Sequence, residues 1–282
     1  MSTEHALTTD LPQIEVVLST FDAAWPDLRR AAIYLDERGI GGLWIMDHFS
    51  GTVHDRGHVL ECWTTLGALA EATTRCRLGT LVANMSVRQP VVLAQAAATL
   101  QAQSGGRLVL GLGAGGGDPG SAYAAEVEWI GEANGSATER RDRLVRSLDT
   151  IRSTWSGSLH ADATGFLLPD PTPPVVIGGY GPKVATVAGA HADGFNTSAA
   201  NPRLSDVVCI ARDAHADRVR NAGHDGEFTV SAFVPADQNW LDPGGSPLQE
   251  IRAAGVDTVQ FIVSPPFDAE VLERVTTFAK LG

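Results

Sequence analysis

Lysine is nearly missing from this chain: among 282 residues only Lys183 and Lys280 occur. With 21 Lys and Arg against 33 Asp and Glu, the formal charge is -12. A surface so acidic does not gather counterions from a polyanion, so no nucleic-acid partner is expected. Cysteine is as sparse. Cys62, Cys76 and Cys209 are odd in number and scattered among apolar residues. That argues against a disulfide framework and for a reduced, cytoplasmic interior. No run is long and apolar enough to cross a bilayer, so no membrane span is expected. The opening MSTEHALTTDLPQ has no basic stretch followed by an apolar one, so no secretory leader is expected there. Residues 1–12 read as a short tail.

What the chain does have is an alternation. Short β-rich runs begin at Ile14, Gly42, Arg77, Arg107, Pro174, Gly194, Phe228 and Thr258. Several are apolar at consecutive positions, as in strands covered on both faces. Helical patterns lie between them. PDLRRAAIYLDERG has Pro26 at its start, Leu28, Ala31, Ala32 and Leu35 on one face, and Gly39 as its stop. Eight strand–helix pairs predict one α/β domain over residues 13–282, a single (β/α)8 TIM barrel. A doubly wound open sheet is the alternative.

A barrel places active residues at the C-terminal ends of its strands. Three such ends are unusual. GLWIM is followed by Asp47 and His48, an acid beside an imidazole. RLVLGLG runs into AGGGDPG, and PVVIGG into YGP. His48 could move a proton near neutral pH. Gly178, Gly179, Tyr180 and Gly181 precede a helix start whose amides, with Lys183, suit an anion. His54, Asp55 and His58 raise the question of a metal. No HxH signature or second ligand cluster supports one, so no metal is expected and the loop is read as lining a substrate pocket.

Taken in order, GLWIMDHF, TTLGALAEATTRCRLGTLV, RQPVVLAQAAATL, SGGRLVLGLGAG, PPVVIGGYGP and AGAHADGFN resemble the luciferase-like flavin and deazaflavin oxidoreductases, the bacterial-luciferase superfamily. Asp-His-Phe resembles the branch that uses the deazaflavin coenzyme F420. The resemblance implies that His48 lies beside the reacting ring carbon. Asp47 would fix its tautomer or bond a neighbouring group. It also implies a non-prolyl cis peptide between Leu81 and Val82 that backs the ring, with Asn84 at the ring's polar edge. Gly113, Ala114 and Gly115 would lie against the ring or its side chain, and the 178–181 turn with Lys183 would hold the phosphate. Arg88, Arg140 and Arg141 are candidates for an oligoglutamate tail.

Two departures matter. Ala114 stands where FMN-using relatives carry a phosphate-binding Arg, and Gly116 where sugar-phosphate dehydrogenases carry a catalytic Glu. An F420-dependent oxidoreductase of a small organic substrate is therefore expected. An FMN monooxygenase fed by a partner reductase, or a non-catalytic F420 carrier, stays open. Relatives are commonly homodimers that pack helices of the early half together, and the Ala-rich helix from Gln89 to Gln103 would permit it.

Overall fold

The computed structural model describes residues 12–222, 226–237, 240–241 and 246–280. Apart from Pro12, the tail read at residues 1–12 lies outside the described residues. The strands are β1 (Gln13–Leu18), β2 (Gly42–Ile45), β3 (Arg77–Thr80), β4 (Ala83–Asn84), β5 (Leu108–Gly113), β6 (Val175–Gly178), β7 (Gly194–Ser198), β8 (Thr229–Pro235) and β9 (Thr258–Val263). The helices are α1 (Trp25–Glu37), α2 (Cys62–Ala72), α3 (Pro90–Gln103), α4 (Ala122–Trp129), α5 (Ala137–Trp155), α6 (Pro182–His191), α7 (Leu204–Ala222), α8 (Ser246–Ala253) and α9 (Ala269–Ala279). A 3-10 turn spans Gly51–His54.

All strand pairings within the sheet are parallel, in the order β3-β2-β1-β9-β8-β7-β6-β5-β4. β3 also pairs with β5, through Leu78 opposite Leu108 and Gly79 opposite Val109. That contact closes the sheet and rules out the open alternative. β3 and β4 are two pieces of one stave, interrupted at Leu81–Val82, so the molecule is a closed eight-stranded TIM barrel.

Register sets what fills the barrel. Glu15 lies beside Gln260, and Val17 beside both Trp44 and Ile262. Low in the barrel, the Glu15 carboxylate accepts from Trp44 Nε1 at 2.7 Å and from Arg77 at 2.7 Å. Gln260 and Asn196 extend this polar layer at 2.7 Å, so its buried groups are paired rather than orphaned. Above it Val17, Trp44, Val109 and Val176 pack together, with Met46, Leu81 and Ile262 on top. Trp44 fits because Gly79 faces it: a β-carbon there would lie 2.3 Å from the indole. Among the described residues, no helix is long and apolar enough to cross a membrane.

Candidate active site

Met46, Leu81 and Ile262 form the floor of a cavity of about 1220 Å³ at the C-terminal mouth of the barrel. All thirteen residues singled out from the sequence border it: Asp47 and His48 after β2; Leu81, Val82 and Asn84 across the β3–β4 break; Gly113, Ala114 and Gly115 after β5; and Gly178 to Gly181 with Lys183 after β6. Their convergence follows from the parallel barrel, which brings every strand end to one rim.

The two residues after β2 have different partners. Asp47 is fully buried. Its carboxylate accepts from the Asn84 amide at 3.0 Å and from Arg88 at 3.1 and 2.5 Å. Arg88 also reaches Glu61 at 2.7 Å and stacks over Phe49. Burial disfavours the Arg88 charge, but the Asp47 and Glu61 carboxylates outweigh it and hold the guanidinium pKa above its ordinary value. Of the two roles expected of Asp47, the structure shows the bond to a neighbouring backbone group, at Asn84, and not a contact with His48; the carboxylate braces the ends of β2 and β4. One expectation is corrected: Arg88 belongs to that brace and is not a cation offered to a ligand.

His48 instead meets Glu126, a residue that sequence reasoning missed. His48 Nδ1 lies 2.9 Å from Glu126 Oε2. Glu126 Oε1 accepts from the Phe49 and Ser50 amides at 2.7 and 3.0 Å. Burial pushes the Glu126 carboxyl pKa up, but the His48 bond and charge and the two amides bring it below the ordinary value. Glu126 comes from α4, whose N-terminus is capped by Ser121. The available signal was Ser121 ahead of an Ala- and Glu-rich stretch. It was masked because α4 is nearly isotropic in hydropathy and follows the glycine-rich loop.

The Leu81–Val82 peptide is cis. Val82 occupies the room that glycines leave on the neighbouring strands. A β-carbon on Gly113 would sit 2.5 Å from a Val82 methyl, and one on Gly178 2.7 Å from the other. These glycines therefore serve the bulge as well as the cavity wall. Asn84 uses its Oδ1 to accept from the Ser86 amide at 2.9 Å. Gly115 leaves room for that carbonyl, 1.8 Å from where a β-carbon would lie. Gly116 has φ +64°, and a β-carbon there would lie 2.0 Å from Asn134 Oδ1 and 2.9 Å from Arg140 Cδ. The position of the missing catalytic Glu is thus filled by other side chains.

Along the remaining wall, Gly181 caps α6 through its backbone, with Pro182 at the first turn and an exposed Lys183 next to it. A β-carbon on Gly181 would meet open space. Arg140 and Arg141 border the same cavity. Among the described residues no cluster of His, Cys, Asp or Glu could hold a metal. His58 pairs with Asp22 at 3.5 Å, while His54 turns to the cavity.

A closed parallel barrel whose mouth joins an imidazole–carboxylate pair, a cis-peptide ledge and a helix start is built to hold a small molecule at that rim. A family profile, the luciferase-like monooxygenases, matches residues 3–239, and the chain belongs to that family. It is 34% identical over 179 residues to an F420-dependent glucose-6-phosphate dehydrogenase of Amycolatopsis mediterranei, covering 60% of this chain and 52% of that protein. It is 30% identical over 201 residues to an F420-dependent hydroxymycolic acid dehydrogenase of Mycobacterium tuberculosis, covering 67% and 52%. The chain spans about half the length of the curated relatives it matches. Among solved structures, an F420-dependent secondary alcohol dehydrogenase in complex with an F420-acetone adduct shares the fold. It superposes with a TM-score of 0.75 at 21% identity, covering 96% of this chain and 98% of that one.

Proposed function

We propose that this chain is an F420-dependent oxidoreductase acting on a small organic substrate. The observation that carries the reading is the meeting of His48–Glu126, the Leu81–Val82 ledge and the Lys183 helix start around one cavity. Both curated relatives described above are named as F420-dependent, which supports the same cofactor here.

The residues suit a flat, anionic cofactor. The cavity exceeds the usual range for a single small ligand, roughly 300–1,000 Å³, which leaves room for cofactor and substrate together. Leu81 and Val82 offer an apolar ledge to a planar ring. The amides of Lys183 and Val184, at the start of α6, and the Lys183 ammonium suit a phosphate. Arg140 and Arg141 suit further carboxylates. A bound deazaflavin would supply the hydride chemistry for an organic substrate.

His48 handles the accompanying proton. With Nδ1–H donated to Glu126, Nε2 carries the lone pair and accepts a proton from a substrate hydroxyl; protonated, it returns one to a carbonyl oxygen. Glu126 holds the ring orientation and stabilises the imidazolium. This pairing favours an enzyme over a passive carrier.

Titration of the purified chain with F420, followed by cofactor fluorescence, tests the reading. Tight F420 binding without FMN binding is expected; preference for FMN would move the chain to the monooxygenase reading, which Ala114 disfavours. His48→Ala should lower turnover by about 10²–10⁴-fold while leaving F420 affinity nearly unchanged. Buried, free Cys62 and Cys76 suit a reduced cytoplasmic setting.

For the partner, we infer a second copy of this chain. Its seat is the apolar groove of about 560 Å³ between α2 and α3, lined by Trp63, Gly67 and Ala96, with Val92 67% exposed beside it. Sedimentation should give a dimer, and Val92→Glu should shift it to monomer.

A further inference from the structure

Beside His48 the cavity wall carries rings that the proton-transfer scheme leaves without a task. His54 meets His48 edge-on, with ring centres 5.6 Å apart. Tyr123 lies 5.7 Å from His48 and 5.9 Å from His54. Phe21 backs both imidazoles, at 5.5 Å from His48 and 4.6 Å from His54. His48, His54 and Tyr123 all border the cavity.

The loop that presents His54 is fastened at both ends. Before it, Ser50 caps the Thr52 amide and donates its own amide to Glu126. After it, Asp22 accepts from the Gly57 and His58 amides at 2.8 and 3.2 Å, and Phe21 bridges to Val59. His54 is therefore held over the reacting end rather than swinging on a free loop.

The His54 and Tyr123 rings themselves are neutral: burial and the Glu126 charge hold the Tyr123 hydroxyl protonated. Burial, together with the neighbouring His48, holds the His54 pKa below its usual value, so it presents a neutral ring at pH 7. Among the described residues no guanidinium stacks on these rings; Arg88 lies over Phe49 instead, held by Asp47 and Glu61. Arg56, whose charge reaches His54, pairs with Asp22 at 4.0 Å and is more than half exposed, so it is a weak anchor for a substrate phosphate. A flat π-system finds ring faces and edges, the geometry aromatic pairs favour.

We propose that His54 and Tyr123, with Phe21 behind them, form the substrate subsite, and that it takes an uncharged molecule in which a flat aromatic or unsaturated ring adjoins a carbonyl or hydroxyl carbon. The assignment rests on the oxidoreductase reading, in which His48 serves the polar carbon and the rings hold the rest of the substrate.

Acetophenone and glucose 6-phosphate separate the two substrate chemistries. Ligand-observed NMR titrations on the full chain, with and without oxidised F420, should show acetophenone binding that glucose 6-phosphate does not displace. His54→Ala and Tyr123→Leu should each weaken acetophenone about three- to ten-fold, and Tyr123→Phe should retain it. Tyr123 is 41% exposed, so its variants should fold even where His54→Ala does not. F420 affinity, read by fluorescence, should stay unchanged in all three. Tighter binding of glucose 6-phosphate, or acetophenone affinity unaltered in both ring deletions, overturns the proposal. So does a parallel loss of F420 affinity, which would make the rings cofactor contacts. A wild-type chain that fails to bind F420 sinks the oxidoreductase reading alone; acetophenone binding by the cofactor-free chain still decides the subsite.

Discussion

Glu126 links the proposed catalytic imidazole and stability in one carboxyl. Its oxygens hold the His48 ring and the start of the loop that carries His54. A carboxyl whose folded pKa lies below its unfolded value binds protons more weakly when folded. Its stabilisation is present above the unfolded carboxyl range and is lost as pH falls through the lower, folded value. Wild-type protein should therefore lose stability on acidification below about pH 4.5 more steeply than Glu126→Gln. Urea midpoints measured from pH 7 to 3 would show it, and parallel slopes would refute the coupling. Sequence alone exposed His48 but not its partner. The two are 78 positions apart, and no local pattern ties a helix acid to a strand-end imidazole. Asp47 was conspicuous for the opposite reason: adjacency suggested a pair, whereas the chain direction after β2 sends its carboxylate to Arg88 and Asn84.

At the level of elements, the strands were legible because most are short buried runs rich in apolar residues, with a glycine or charged boundary. The run from Arg77 was read as one strand and is two, β3 and β4. The break is enforced from outside it. A β-carbon on Gly111 would lie 1.9 Å from the Thr80 carbonyl oxygen, while one on Gly113 would strike only the Val82 methyl. Gly111→Ala should therefore cost at least about 3 kcal/mol, since a barrel strand cannot withdraw its carbonyl. Gly113→Ala should cost less and be partly relieved by Val82→Ala, giving a favourable coupling in a double-mutant cycle. Equal costs, or no coupling, would show that the bulge does not depend on these glycines. The one helix not anticipated, α4, lacks an apolar stripe because its buried set, Ala124, Glu126 and Val127, includes the acid that faces the site.

On the scale of the whole molecule, the scarcity of lysine acquires a location. A chain of net charge -12 carries Arg140, Arg141 and Lys183 on the wall of one cavity. The net charge disfavours an anionic ligand while these three side chains favour it at that mouth, so local position rather than total charge decides binding. Such contacts are solvent-accessible, and the Debye length is about 10 Å at 0.1 M salt. Affinity for F420 should therefore fall steadily between 0.02 and 0.5 M salt, on the order of a few-fold per cation engaged. Arg140→Gln with Arg141→Gln should flatten that dependence and weaken binding at low salt most, leaving the ring contacts proposed at Leu81 and Val82 to supply what remains. Fluorescence titrations of both proteins across the salt series would test this. A wild-type affinity indifferent to salt would mean that the phosphate and tail are held without these side chains, and the backbone amides of α6 would then have to carry the anion unaided.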